Sequence, residues 1–271
     1  MRRPALLSAA MAAGVVLGTP AHAFWPDREV ARVVVFGGSC VRCELSGRKL
    51  TGASFLGARF SGAALVGSDL SGARFVGADF RQADMSGAYL NSSQLVGANF
   101  SGANLSRARL RQAVLSGVNL EGADLTGIDA AGLTSPGGDF SGARMGKANL
   151  EGARLAGADL SRVSARGASL ERADLQGARL SGSAFAEASF RKADLSAADL
   201  SNADFAGSDF REARLVRTSL HGADLSRARG LNQGQLDQAC GDDDTRLPQG
   251  LAVKTCVRRG LAAPRRIAAS Q

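Results

Sequence analysis

The sequence predicts an all-β solenoid, a chain wound into stacked coils with four short sides each, and three observations lead there. Large apolar residues recur at every fifth position, a small residue stands two places before most of them, and glycine often stands two places after. The stretch LVGSDLSGARFVGADF (65–80) shows all three, with Leu65, Leu70, Phe75 and Phe80 in frame. Five residues carry an α-helix through about 500°, which sets successive apolar groups about 140° apart. An odd step along a strand sends the side chain to the opposite face. A chain that turns a corner every five residues keeps all of them on one side.

The register does not slip. Positions divisible by five from Leu45 to Leu225 form 37 sites, and all but Ala130, Ser135 and Ala165 carry Leu, Phe or Met, which chance does not produce. The small partner is usually Ala, as at Ala53, Ala58, Ala73 and Ala78. Each short extended piece therefore points one large and one small side chain inward. Four pieces close a 20-residue coil, and coils stack at about 4.8 Å. Glycine holds the corner at Gly47, Gly52, Gly72 and Gly77, as a turn with positive φ requires. Arg107, Arg162, Arg172 and Glu187 replace it further on, which leaves room for a different turn geometry there.

Phenylalanine spacing favours four sides over three. Pairs 20 apart are Phe55/Phe75, Phe60/Phe80, Phe80/Phe100, Phe185/Phe205 and Phe190/Phe210, whereas a spacing of 15 gives only two. These rings are expected to stack one coil above another. Runs such as ANLSRARL, GADLTG and ADFRQADM resemble the pentapeptide repeat family, and the resemblance spans about 43–229. It implies a right-handed quadrilateral β-helix with Leu or Phe and the preceding Ala inward. Thirty-seven pentads then make about nine coils, a rod on the order of 45 Å long.

The flanks read in order. Residues 1–23 have the form of a signal peptide: Arg2 and Arg3, a short apolar run from Ala5 to Leu17, and Ala21-His22-Ala23 as an A-x-A cleavage site. Cleavage after Ala23 is expected, with a periplasmic or secreted bacterial product and no integral membrane segment after it. Residues 24–42 are expected to cap the first coil, with the β-branched run EVARVVVFGG (29–38) as a strand that covers an open edge. Within the rod, DAAGLTSPGGDF (129–140) keeps the frame but loses core leucines and gains Pro136, so an irregular corner or bulge near 129–139 is expected. Residues 230–257 are expected to form the other cap, with a short helix. Asn232 suits its N-cap, Gln235 completes a capping box, and Leu231 can staple against Leu236. The tail, 258–271, reads as disordered.

The cysteines carry the clearest chemistry. An exported chain meets an oxidising space, and four cysteines suit disulfides. Cys240 and Cys256 flank GDDDTRLPQGLAVKT and are expected to pair, closing a loop of about 15 residues worth roughly 3 kcal/mol on the chain-entropy model. Cys40-Val41-Arg42-Cys43 is open to three readings: a structural disulfide or buried thiol pair, a redox-active pair beside Arg42, or part of a metal site that lacks further ligands. His221 is the one histidine beyond the leader and is expected on the surface near a corner. GDDDT (241–245) lacks alternating calcium-ligand spacing. No catalytic, cofactor-binding or metal-ligating set is proposed.

Charge narrows the function. From Cys43 to Arg229 there are 22 basic and 19 acidic residues, so the formal +8 of the whole chain is not a basic patch. Opposite charges one coil apart, just before the core residue, recur as Lys49/Asp69, Arg59/Asp79, Arg109/Asp129, Asp124/Arg144, Arg154/Asp174, Asp159/Arg179, Arg179/Asp199, Asp194/Arg214 and Asp209/Arg229. Such a surface neither tracks phosphates nor copies them, and Tyr89 alone gives no stacking platform for nucleic acid. A non-enzymatic exported scaffold or protein-interaction module fits best, its partner an unidentified protein or envelope component. A redox protein built on Cys40 and Cys43 is the alternative. The DNA-mimic role of some family members, which occupy topoisomerases, has fold analogy as its only support. End-to-end dimers are open to rods of this kind, though the expected caps oppose them.

Overall fold

The computed structural model describes residues 35–36, 38–256 and 266–268. Its organising feature is a run of parallel bridges, one every five residues, that join each residue to the one 20 further on, from Ser39↔Arg59 to Asp209↔Arg229. Each pentad makes its hydrogen bonds to the coil on either side. The Leu50 N–H donates to the Asp69 carbonyl at 2.7 Å, and the Asp69 N–H donates back to the Arg48 carbonyl at 2.8 Å. Between bridges the chain turns, with the Ala53 N–H donating to the Leu50 carbonyl at 3.1 Å and Gly52 at φ +66°. A turn closed this way with its third residue at positive φ is the setting in which glycine is favoured. The result is a β-helix-type solenoid.

The corners without glycine do not differ from those with it. Arg107, Arg162, Arg172 and Glu187 stand at φ +58°, +57°, +56° and +61°, so the room left for another turn geometry is not used. The left-handed conformation costs an L-residue roughly 1–2 kcal/mol. Stacking imposes it nonetheless. The Arg107 N–H donates to the Thr126 carbonyl at 2.9 Å, the same bond and length that Gly52 makes to Ser71.

Inside, the fifth-position residues and their small partners form one continuous core. Leu65, Leu70, Phe75, Phe80, Phe185, Phe190, Phe205 and Phe210 are fully buried. All five ring pairs at a spacing of 20 stack, with centroids 4.8–5.8 Å apart and planes within 12°. Neighbouring sides add edge-on contacts, such as Phe75 with Phe80 at 5.1 Å. Serines in the small position lose no hydrogen bond: the buried Ser68 hydroxyl donates to the Leu65 carbonyl at 2.7 Å.

The expected bulge near 129–139 is absent. Bridges Val114↔Thr134, Asn119↔Asp139 and Thr134↔Arg154 carry the 20-residue register straight through. Ser135, in a leucine's place, is buried and its hydroxyl donates to the Leu115 carbonyl one coil back at 3.0 Å. Leu133 and Ile128 occupy small positions and stay buried, restoring some of the volume lost at Ala130. Pro136 stands at a corner position whose N–H no neighbouring coil uses, and it follows Thr134, so no Asx bond is lost; a long bond, 3.4 Å, runs from the Gly117 N–H to its carbonyl.

At the N-terminal end, β1 (Val35–Phe36) pairs in parallel with β2 (Phe55–Leu56), within the stretch expected to be a strand. The proposed leader and residues 24–34 lie outside the described residues. At the other end the register drifts, to 21 at Ser219↔Cys240 and 22 at Asp224↔Arg246. Helix α1 (Gln233–Leu236) lies in the segment that adds the first extra residue, and the second enters between Cys240 and Arg246. Asn232 caps it with its side chain on the Gln235 N–H, while the Gln235 side chain takes the Asn232 N–H. Leu236 is fully buried and Leu231 packs on the core. The Gln235 amide also donates to the Phe210 and Ala213 carbonyls, closing orphaned acceptors at the rod's end. Beyond it β3 (Cys240–Gly241), β4 (Ala252–Thr255) and β5 (Arg266–Ala268) form a three-stranded sheet. The expectation of a disordered tail is thereby corrected for 266–268: β5 runs antiparallel to β4, whose free edge offers backbone partners.

Candidate functional site

Two features of this rod can engage other molecules: its long faces and its C-terminal cap. Along the faces, an Asp or Asn just before a core position carries a role that charge counting missed. Its carboxylate or amide oxygen accepts the backbone N–H two residues on, as Asp69 does from Ser71, Asp84 from Ser86, Asn104 from Ser106 and Asp159 from Ser161, at 2.9–3.1 Å. This is an Asx turn, which satisfies a corner N–H that no neighbouring coil reaches. The signal was available in the sequence as the recurrence of Asp or Asn at the position before many of the core residues.

Of the nine cross-coil charge pairs, three close as ion pairs: Arg144–Asp124 at 2.9 Å, Arg179–Asp159 at 2.6 Å and Arg214–Asp194 at 3.3 Å. Elsewhere the partner changes. Asp79 takes Arg81 and Asp209 takes Arg211, each two residues on, in place of the arginine a coil away, while Asp129 takes Arg111 from the preceding coil in place of Arg109. Arg81's side-chain hydrogen bonds hold the Asp79 carboxyl below the usual carboxylate range, against the opposing effect of burial. The guanidinium of Arg109 lies instead over the exposed ring of Tyr89, 4.8 Å from its centre. Exposed pairs of this sort contribute at most about 1 kcal/mol each. They leave the faces mixed in sign and available for contact.

The structure joins the cysteines as Cys40–Cys43 and Cys240–Cys256, with Cα separations of 5.2 and 4.8 Å. All four are half-buried. Cys40 packs against the hydrophobic core, while Arg42 between the pair sits at a left-handed corner, φ +56°. Cys240 lies on β3 and Cys256 follows β4, so the second bridge ties the cap sheet together beside a backbone bond from the Cys256 N–H to the Gly241 carbonyl, 3.0 Å.

His221 is not the free surface residue expected. It is half-buried at the cap, its Nδ1 2.7 Å from Ser219 Oγ and 3.6 Å from Cys256 Sγ. Sequence reasoning could not place it there, because the displacement of Cys256 onto this coil depends on the inserted helix. Asp242, from the acidic run, accepts from the Gly222 N–H at 2.8 Å and from Thr245 Oγ1 at 2.9 Å. Burial tends to raise its pKa, but the bond from Gly222, then Thr245 and the nearby His221, bring it below the ordinary value. The aspartate is thus tied into the cap. No group of three or more metal-ligating side chains converges among the described residues, and no helix among them is long and apolar enough to cross a membrane.

The chain's likeness to known proteins agrees with this geometry. The family model described as pentapeptide repeats matches in 8 copies, over 39–75, 59–93, 93–129, 139–172, 168–207 and 193–229. No curated protein matches. Among solved structures, HetL, a pentapeptide repeat protein from the cyanobacterium Nostoc sp. strain PCC 7120 involved in heterocyst differentiation regulation, is 29% identical with a TM-score of 0.65; the match covers 66% of this chain and 81% of HetL. QnrB1, a plasmid-mediated fluoroquinolone resistance protein, is 22% identical over 78% of this chain and 92% of its own, at a TM-score of 0.36. A thylakoid-lumen pentapeptide repeat protein of Arabidopsis thaliana is 25% identical over 46% of this chain and 67% of its own, at 0.18. With its five-residue core register and the family model matched across most of its length, the chain belongs to the pentapeptide repeat family.

Proposed function

We propose that this protein is a non-enzymatic exported scaffold or protein-interaction module of the bacterial periplasm or cell envelope, wound as a right-handed, four-sided β-helix of about nine coils. The observation that carries the proposal is the pairing of every cysteine, one bridge at each end of the rod. Disulfides at both ends suit an oxidising compartment, to which the A-x-A leader would direct the chain. Between them the rod presents long faces whose mixed ion pairs and exposed Tyr89–Arg109 stack are suited to protein contact. The regulatory involvement named for HetL favours a binding role over chemistry. A duplex mimic needs a continuous acidic face, whereas here Arg144, Arg179 and Arg214 interrupt the aspartate columns.

The test is cell fractionation with N-terminal sequencing, followed by crosslinking in intact cells and mass spectrometry. The expected result is a mature chain beginning at Phe24 in the periplasmic fraction, crosslinked reproducibly to one protein or envelope component. An uncleaved cytoplasmic chain would overturn the export reading, and a mature chain crosslinked to nothing would overturn the scaffold.

A further inference from the structure

Each bridge ties one end of the chain, yet their surroundings differ in one respect. At the C-terminal cap a continuous polar path ends on sulfur. Ser201 Oγ donates to Asp199 Oδ1 and lies 3.2 Å from Ser219 Oγ; Ser219 Oγ lies 2.7 Å from His221 Nδ1; and that nitrogen is 3.6 Å from Cys256 Sγ. The second carboxylate of the cluster, Asp242, is near enough to His221 to be acidified by it. These residues come from two successive coils and the cap, which the stacking register brings into one column. A bridge whose only task is to hold β3 to β4 has no need of an imidazole against one sulfur. Disulfide exchange does need one, because the rate depends on how readily the departing sulfur carries negative charge, and histidine is the side chain that exchanges protons near neutral pH.

We propose that Cys240–Cys256 is a thiol-exchange site, with Cys240 the sulfur attacked and Cys256 the sulfur released against His221. The co-reactant is a thiol, either a small one such as glutathione or a cysteine of a partner. Its thiolate forms a bond to Cys240 Sγ, the bond between Cys240 and Cys256 breaks, and the electron pair leaves on Cys256 Sγ. In the oxidised form the one hydrogen of His221 Nδ1 is given to Ser219 Oγ, whose own hydroxyl faces Ser201 on the path to Asp199; as charge develops on Cys256 Sγ, 3.6 Å away, that hydrogen swings to the sulfur as a hydrogen bond or a transferred proton. A second thiol then attacks the mixed disulfide, forming an oxidised thiol pair and releasing Cys240 as a thiol. Two electrons pass to the protein disulfide, two thiols are oxidised, and the reverse sequence restores the bridge. The backbone bond from Cys256 to Gly241 and the β3–β4 pairing do not involve sulfur, so the cap stays assembled through the cycle. This site is distinct from the redox alternative at Cys40 and Cys43, and it does not rest on export.

The experiment uses the full oxidised chain in a glutathione buffer, quenched at intervals by alkylation and read by peptide mass spectrometry. The wild-type cap bridge is expected to open about tenfold faster than that of His221→Asn, with Cys40–Cys43 unchanged between the two as an internal control. Equal cap rates in both proteins would overturn the proposal. A second reading needs no variant: the transient glutathione adduct on the wild-type chain is expected on Cys240. An adduct confined to Cys256, or divided evenly, would overturn it equally.

Discussion

Two stretches of the rod achieve one backbone with different residues. Between Gly47 and Gly77 every corner is glycine, at φ +61° to +68°. Between Glu187 and Arg217 the corners are Glu187, Lys192, Ala197, Asn202, Gly207, Glu212 and Arg217, and the six that are not glycine stand at +57° to +61°. Both stretches hold a cluster of stacked phenylalanines, and both keep the 20-residue bridge register. The handedness of a corner is therefore set by the stacked coils and the Asx bonds, and glycine only lowers what that conformation costs. The C-terminal stretch gives up roughly 1–2 kcal/mol at each such corner and folds into the same shape.

The largest way to break that likeness is through the core. Phe80→Ala in the first cluster and Phe205→Ala in the second should each lose about 3–5 kcal/mol, read from guanidinium unfolding. Phe80 touches Phe60, Phe75 and Phe100, and Phe205 touches Phe185, Phe190 and Phe210, so the two losses should be alike. A loss at Phe205 far above that at Phe80 would mean that the glycine-poor stretch has less stability to spare. Next come the bridges. Replacing Cys240 and Cys256 together by Ser should cost about 3 kcal/mol, whereas the same change at Cys40 and Cys43, only three residues apart, should lower Tm much less.

Corner substitutions sharpen the comparison further. Gly72→Ala should destabilise by about 1–2 kcal/mol through φ alone, since a Cβ there meets nothing within 4 Å. Lys192→Gly should do the reverse and stabilise by up to about 1 kcal/mol, less the entropy that glycine adds to the unfolded chain. If both changes prove neutral in thermal melts, the corner conformation is not what separates the stretches. The smallest effect is titration. Arg81 and Arg211, through their side-chain hydrogen bonds, hold Asp79 and Asp209 below the ordinary carboxylate pKa. The associated stability is complete above about pH 4 and is lost as pH falls through the depressed folded values. Melts between pH 5 and pH 2 should therefore show a decline that Arg81→Ala and Arg211→Ala each lessen.

Much of this architecture was legible because a strict repeat writes each local rule many times. The five-residue register, the rings 20 apart and the Asn232–Gln235 capping box all depend on fixed short spacings, and the structure places those residues accordingly. What escaped notice depends on neighbours that the spacing does not name. Ser135 pointed to an irregular corner or bulge, but its hydroxyl donates to the Leu115 carbonyl one coil back and the register runs on. Arg107 and Glu187 looked unfit for a positive φ that stacking imposes on them. Aspartates read as surface charge proved to bond corner N–H groups, and His221 gained its sulfur neighbour in a cap whose helix begins 12 residues later.

The drift from 20 to 22 residues at the C-terminal cap has a consequence for how such a chain can grow. Upstream of Ser219, a whole coil could be duplicated or deleted and every side chain would still meet its own kind above and below. Downstream the count no longer divides evenly, so a further coil laid on the cap would fall out of step with the columns beneath it. The cap works like the last, miscut thread on a screw: the rod can lengthen from within, but nothing can be wound on past that point.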